Sequence, residues 1–335
     1  MTHKILLTGG AGYIGAHTFV ALQAAGFSPF IFDNFSNADK DTPERIASIT
    51  GQTAPWVKGD LLDKTAIERV FADNDFDAVI HFAAKKSVAD SVHRPLDYFE
   101  NNCVGLINLL EVIEKYSVKT FVFSSSATVY GTPQRLPIPE TATLSFANPY
   151  GFTKLVGEQM LAQISLAQPE LTVGILRYFN PVGAHASGLL LQAPRGNAAP
   201  PENLMPRMLE VARGQNPYLT VYGDDYDTPD GTGLRDYIHI TDLARGHVLS
   251  LQNLLQSGEG HTVNLGTGNG YSVLEMIECF KKVSQKDLTY RIVPRRAGDI
   301  ASCYADVSLA FALLGFKAEF GLLEMCASSW NAAQM

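Results

Sequence analysis

Cysteine is sparse in this 335-residue chain. The four, Cys103, Cys279, Cys303 and Cys326, make no C-x-x-C pair and no metal-ligand spacing. That argues against a disulfide framework and a metal site, and for a reduced, cytoplasmic protein. No apolar run reaches 18 residues, so no transmembrane helix is expected. The opening MTHKILLTGGAGYIG has no charged region leading into a long apolar run, and glycine breaks it early, so it does not read as a signal peptide. Basic side chains are the minority: 26 Lys and Arg against 34 Asp and Glu, a net charge of -8. Nucleic acid and anionic membranes recruit basic surfaces, so neither is an expected partner. A small anionic substrate, which needs only a few placed cations, stays compatible. Low-complexity segments and repeats of fixed period are also missing.

What is present is apolar. Hydrophobic residues make up 46% and charged residues 18%, enough for a large core, and the length suggests about two domains. KILLTG, SPFIFDN, DAVIHFAA, KTFVFSS and LTVGILRYFN read as strands. They are continuous rather than alternating in polarity, as strands buried on both faces are. Helical patterns separate them; Leu106, Leu109, Leu110 and Ile113 share one face. This predicts an α/β chain with a doubly wound parallel sheet. After about Asn180 the texture changes: PVGAHASGLLLQAPRGNAAPPENLMP is rich in Pro, Gly and Ala, as loops over a cleft would be. YLTVYG and LTYRIVP then read as short strands of a second unit, and HTVNLGTG as a return to the main sheet. The expected division is residues 1–180, with a return segment near 235–266, and a smaller C-terminal α/β substrate domain, 181–335.

TGGAGYIGAH follows the first strand directly and places Gly9, Gly10, Gly12 and Gly15 at the spacing of a dinucleotide-binding turn. Glycine lets backbone approach a pyrophosphate, and the next helix start offers amide donors and partial positive charge. This is the signature of a Rossmann sheet. Asp33 ends the second strand, where an acid holds an adenosine ribose; a carboxylate there repels a 2′-phosphate, so NAD is expected over NADP. Asp60, in KGDL after the third strand, is expected near an adenine, the alternative being a simple turn aspartate.

ANPYGFTKLVGEQ, residues 147–159, sets Tyr150 four residues before Lys154. On a helix the two share a face, about 5–6 Å apart at Cβ. Free tyrosine titrates at about 10, too high for a base near neutrality. A neighbouring ammonium, with the positive ring of an oxidised nicotinamide, favours phenolate. The bland alternative is a surface helix that carries both by chance. A serine-rich strand end, SSSATVYG, offers a hydroxyl to the same oxygen; whether it comes from Ser124, Ser125 or Ser126 is open.

Glycine turn, serine and Tyr-x-x-x-Lys together resemble the extended short-chain dehydrogenase/reductase superfamily. TGGAGYIGAH, VIHFAA, SSSATVYG, NPYGFTK, RYFNPVGAH, NLMP, GTGLRDYIHI, NLGTG and PRRAGD resemble the UDP-glucose 4-epimerase family from Thr8 to about Leu314. The resemblance implies an NAD-dependent isomerase of galactose metabolism that passes UDP-glucose and UDP-galactose through a transient 4-keto sugar. It implies Tyr150 as base, Lys154 as its tuner and Ser126 as the hydrogen-bond partner of the 4-oxygen. Around the cofactor it places Gly9, Gly12, Tyr13, Ile14, Gly15, Asp33, Asn34, Asp60, Leu61, Phe82, Ala83, Lys86, Asn101, Ser124, Tyr150, Lys154 and Tyr178. Around the substrate it places Lys86, Ser126, Tyr150, Asn180, Asn203, Leu204, Tyr222, Arg235, Arg296, Asp299 and Cys303. Arg235 and Arg296 would hold the diphosphate, for which guanidinium geometry is suited. Cys303 stands where the family limits the pocket beside the sugar's C2 group. Being small, it implies that UDP-N-acetylglucosamine and UDP-N-acetylgalactosamine are also interconverted. The resemblance further implies a homodimer through a four-helix bundle of the helices around 102–116 and 150–167.

The chain departs from the family at Lys85, usually apolar there, and in a slightly shorter Ser126-to-Tyr150 loop. Among rivals, a dehydratase needs an acid/base pair after the strand-end hydroxyl, and Ala127 and Thr128 are not ionisable. A 4-epimerase of another UDP-sugar is the nearest rival; a catalytically silent nucleotide sensor would not need Tyr150, Lys154 and Ser126 together.

Overall fold

The computed structural model describes residues 2–192, 203–296 and 298–335. The stretch 193–202 of the Pro/Gly/Ala-rich run lies outside the described residues. Seven strands form one sheet: β1 (Lys4–Thr8), β2 (Ser28–Asp33), β3 (Trp56–Lys58), β4 (Ala78–His81), β5 (Thr120–Ser126), β6 (Thr172–Tyr178) and β7 (His261–Leu265). Their order is β7-β6-β5-β4-β1-β2-β3, and every adjacent pair is parallel. Every residue of β4 and β5 is buried, as central strands of a parallel sheet covered on both faces are. Alternation divides β1 between two cores: Ile5 and Leu7 join Phe19, Leu243 and Leu251 on one face. Leu6 joins Leu106, Leu109 and Phe121 on the other. The chain runs outward from β1 to β3, then crosses back to β4. The carboxyl ends of β1 and β4 therefore flank the crevice of a strand-order reversal, where open α/β sheets take ligands.

The strand expected at LTVGILRYFN forms as β6 and stops at Tyr178; Asn180–Val182 then pairs with Tyr237–His239. The switch has a local cause, because the Phe179 amide donates to Leu265 O (3.3 Å) and the Asn180 amide to Asp236 O (2.9 Å). Beyond it, Leu219–Tyr222 and Tyr290–Val293 form a parallel pair. A third core, including Met208, Phe280, Met325 and Trp330, packs helices Leu204–Ala212, Val273–Ser284 and Leu322–Gln334 together. Strand Leu234–Arg235 lies between Tyr271–Ser272 and Ser302–Cys303. Among the described residues no helix is long and apolar enough to cross a membrane.

Candidate active site

The turn after β1 is built so that only glycine fits. Gly9 has φ +71°, and a Cβ there would lie 2.6 Å from the Ala83 amide nitrogen. A Cβ on Gly15 would meet Gly9 O at 2.5 Å, so glycine lets helix Tyr13–Ala24 close onto the turn. Gly12 is that helix's N-cap and supplies no side-chain cap, which leaves the first amides directed at the crevice. Asp33 is buried at the end of β2. Its two oxygens accept from the amides of Ala11 (3.0 Å) and Phe35 (2.8 Å). Asn34 Nδ2 donates to Asp60 Oδ2 at 2.8 Å, which joins those two candidates. Leu61 O accepts from Asn108 Nδ2 (2.9 Å). The Phe82 and Ala83 amides share Thr8 O, at 2.9 and 3.0 Å. Ile14 packs in the first core, and the Tyr13 hydroxyl donates to Gly183 O at 2.7 Å. A turn that a Cβ would fill, open helix amides and an oriented acid fit a dinucleotide without a 2′-phosphate.

Across the crevice, helix Pro149–Ala167 starts at Asn148, whose Oδ1 accepts from the Gly151 amide (2.9 Å), with Pro149 in the first turn. This cap sets Tyr150 at the helix mouth. The three serines that sequence could not separate take three partners. Ser124 Oγ accepts from the Tyr178 hydroxyl at 2.5 Å. Ser125 Oγ donates to Glu158 Oε1 at 2.5 Å. Ser126 Oγ accepts from the Thr128 amide at 3.2 Å and neighbours the Tyr150 phenol. Burial pushes that phenol up to about 12, and Ser126 acts in the lowering direction. Lys154 is buried, and burial lowers it to about 8. Its ammonium donates to Ser124 O at 2.7 Å. The Lys154 ammonium, one helical turn on from Tyr150, is thus held on a carbonyl of β5.

Asn102 went unnoticed in the sequence. It sits in a π-helical turn, Glu100–Val104, a distortion common at functional sites. Its Oδ1 accepts from Lys85 N (2.8 Å) and Asn101 Nδ2 (2.9 Å). Its Nδ2 donates to Lys85 O and Thr153 Oγ1, both at 3.0 Å. Thr153 in turn donates to Tyr150 O (2.8 Å). One amide thus ties the Lys85–Lys86 segment to the Tyr150 helix. The Lys85 ammonium turns to Asp97 (3.7 Å). Lys86 is exposed at its edge.

On the far wall, Arg235 and Cys303 face each other across parallel strands. Arg296 donates through Nε to Asp299 Oδ2 (2.9 Å), and its guanidinium lies 4.6 Å from the Tyr222 ring centre. Asn180 and Asn203 are both exposed. Asn203 caps helix Leu204–Ala212 without a side-chain bond, and Leu204 packs beneath in the third core. Cys303 is buried among Leu155, Phe179 and Ala305. Burial raises its thiol to about 11, leaving an inert, space-filling group.

Two buried polar centres were also missed. Asp236 is fully buried, and its carboxylate accepts from Thr267 N (2.8 Å), Thr267 Oγ1 (2.7 Å), Gly268 N (3.0 Å) and Ala305 N (3.2 Å). Glu158, on the Tyr150 helix, pairs with buried Arg177 at 2.6 Å. A charge inside an apolar run, such as Arg177 in LTVGILRYFN, was the available signal, since buried charges need partners.

Comparison with known proteins was made against this geometry. Residues 5–266 match the model of the NAD dependent epimerase/dehydratase family. The UDP-glucose 4-epimerase of Bacillus subtilis (strain 168) is 52% identical over 327 residues, covering 98% of this chain and 96% of that protein. A crystal structure of UDP-glucose-4-epimerase from Stenotrophomonas maltophila, with bound NAD and formylated UDP-arabinopyranose, superposes with a TM-score of 0.96 at 47% identity, covering 99% and 98% of the two chains. The UDP-Glc/GlcNAc 4-epimerase of Campylobacter jejuni superposes with a TM-score of 0.85 at 37% identity, covering 99% of each.

Proposed function

Because the chain belongs to the NAD dependent epimerase/dehydratase family, among its UDP-glucose 4-epimerases, we propose that it interconverts UDP-glucose and UDP-galactose at C4 and accepts their N-acetyl counterparts. The observation that carries this is Tyr150: a buried phenol beside Ser126, one helical turn from a buried lysine, across the crevice from the Gly9–Gly15 turn. NAD, held by the Gly9–Gly15 turn and Asp33, would supply the hydride acceptor and donor.

The remaining steps belong to the chain. Tyr150 takes the proton of the sugar 4-hydroxyl and later returns it, so its pKa must approach the working pH. Burial opposes this by holding it near 12. Cationic neighbours offset burial, and Lys154 keeps its proton below about pH 8. Ser126 holds both the phenol and the 4-oxygen. Arg235 and Arg296 clamp the diphosphate while the sugar turns between its two faces, with Asn180 and Asn203 beside them and Asp299 on the ribose. Lys86, Asn101 and Tyr178 border the cofactor.

Cys303 supports the N-acetyl reading, because a small inert side chain leaves space beside C2; a relative acting on UDP-Glc/GlcNAc has the same fold. A second copy of the chain is the proposed partner. An apolar groove of about 520 Å³ runs between helices Gly105–Lys115 and Pro149–Ala167, lined by Ile107, Leu110, Val156, Met160 and Ile164. The four free cysteines agree with a reducing, cytoplasmic setting. The test is to incubate the purified protein separately with the four UDP-hexoses, adding no cofactor, and to separate the products. No conversion of UDP-galactose would overturn the reading; conversion of the plain hexoses alone would remove its N-acetyl part.

A further inference from the structure

On the diphosphate side of the site one polar atom has no use within the protein. Tyr226 is 7% exposed, and its hydroxyl has no hydrogen-bond partner among the described residues. Buried phenols of folded proteins are normally satisfied, so an orphan calls for a specific explanation.

The loop carrying Tyr226 is built to hold it still. The Tyr226 amide donates to Gly231 O at 2.9 Å. Gly231 has φ +78°, and a Cβ there would lie 2.0 Å from Asp224 O. Thr228 Oγ1 donates to Thr232 O, and Thr232 Oγ1 to Asp230 Oδ1, each at 2.7 Å. The ring rests against Gly223, where a Cβ would come within 2.7 Å of it. It is covered on its face by Arg295, whose guanidinium carbon is 4.1 Å from the ring centre and whose Nε donates to Asp225 Oδ1 at 2.7 Å. A ring gripped on both sides cannot swing its hydroxyl out to water.

Arg235, Arg295 and Arg296 lie near the hydroxyl, Arg295 ion-paired to Asp225 and Arg296 to Asp299. Arg235 and Arg296 are the cations already proposed for the diphosphate. Guanidinium groups beside a phenol donor make a site in which an anionic acceptor is bound better than a neutral one. Burial pushes the phenol up, so it keeps a proton to donate.

We propose that the Tyr226 hydroxyl is a further substrate-binding donor, giving its hydrogen bond to a diphosphate oxygen of the nucleotide sugar. The proposal rests on reading the site as one for UDP-sugars. It explains the orphan: the ligand brings the acceptor that the fold withholds. It also separates Tyr226 from Tyr222, whose exposed ring offers stacking rather than a donor.

The experiment uses Tyr226→Phe in the protein purified with its own cofactor, titrated calorimetrically with UDP and with uridine. A charge-assisted hydrogen bond predicts that Kd for UDP rises about tenfold or more, while uridine affinity stays within about twofold. KM for UDP-galactose should rise in step, with kcat little changed. Without ligand, the melting temperature should hold or increase, since phenylalanine fills the same space and removes the orphan; the rise in melting temperature on adding UDP should shrink. UDP affinity within about twofold of wild type, or an equal loss for uridine, would overturn the proposal. A wild-type protein that neither binds UDP nor converts UDP-galactose would overturn the reading of the site, and this proposal with it.

Discussion

Arg177→Met tests whether the Tyr150 helix is anchored by a buried charge pair. Arg177 and Glu158 are only 6% and 4% exposed at their side chains. The guanidinium reaches both Glu158 oxygens, at 2.9 Å from Nε to Oε1 and 2.6 Å from Nη2 to Oε2. Its Nη1 donates to the Tyr130 hydroxyl (3.1 Å) and to Glu140 O (2.9 Å). Tyr130 continues to Asn264 Oδ1 (2.6 Å), and Asn264 Nδ2 donates to Ile138 O (2.8 Å). Truncating Arg177 leaves a carboxylate in the core with only the Ser125 hydroxyl. Leaving a buried charge uncompensated costs about 3–5 kcal/mol. Urea unfolding, followed by the fluorescence of Trp56 and Trp330, should show a loss of that size. Arg177→Met combined with Glu158→Leu should recover most of it, because replacing both partners removes the stranded charge. A loss under about 1 kcal/mol for the single variant, typical of an exposed pair, would refute the reasoning. So would a double variant no more stable than the single one.

Other expectations concern the chemistry. Tyr150→Phe should lower turnover of UDP-galactose by at least about 10²-fold, the usual worth of a positioned base, while NAD extracted from the protein stays at its wild-type amount; undiminished turnover would end the mechanism. Cys303→Tyr should abolish conversion of the N-acetyl sugars and spare UDP-galactose, read by product chromatography, and equal loss of both would refute the pocket argument. Lys154 gives a pH dependence of stability. Burial lowers its folded pKa from 10.5 to about 8, so the penalty on the charged form is present below about 8. As pH rises from there towards 10.5 the unfolded chain holds the extra proton, and stability gains. Comparing urea midpoints across that window, wild type should therefore gain on Lys154→Met, which cannot titrate; a constant difference would contradict a buried, titrating amine.

Local pattern determined what local physics controls. Gly9, Gly12 and Gly15 are spaced for a turn that closes onto a helix, and a Cβ at Gly15 would meet the carbonyl of Gly9, only six residues earlier. Tyr150 and Lys154 share a face because Asn148 and Pro149 start a helix just before them. Unbroken apolar runs specified strands covered on both sides. What the tertiary structure alone decided are contacts between groups far apart in the chain. Ser124 and Ser125 look alike in sequence, yet they divide between Tyr178 and Glu158, delivered by a later strand and a later helix. Lys154 turned to a carbonyl of β5 because that strand ends beneath its helix. The run through Phe179 broke because Asp236 and Leu265, more than fifty residues further on, supplied the acceptors for its amides. Side-chain direction and hydrogen-bond pairing across such distances depend on how the elements pack, and no spacing along the chain encodes that.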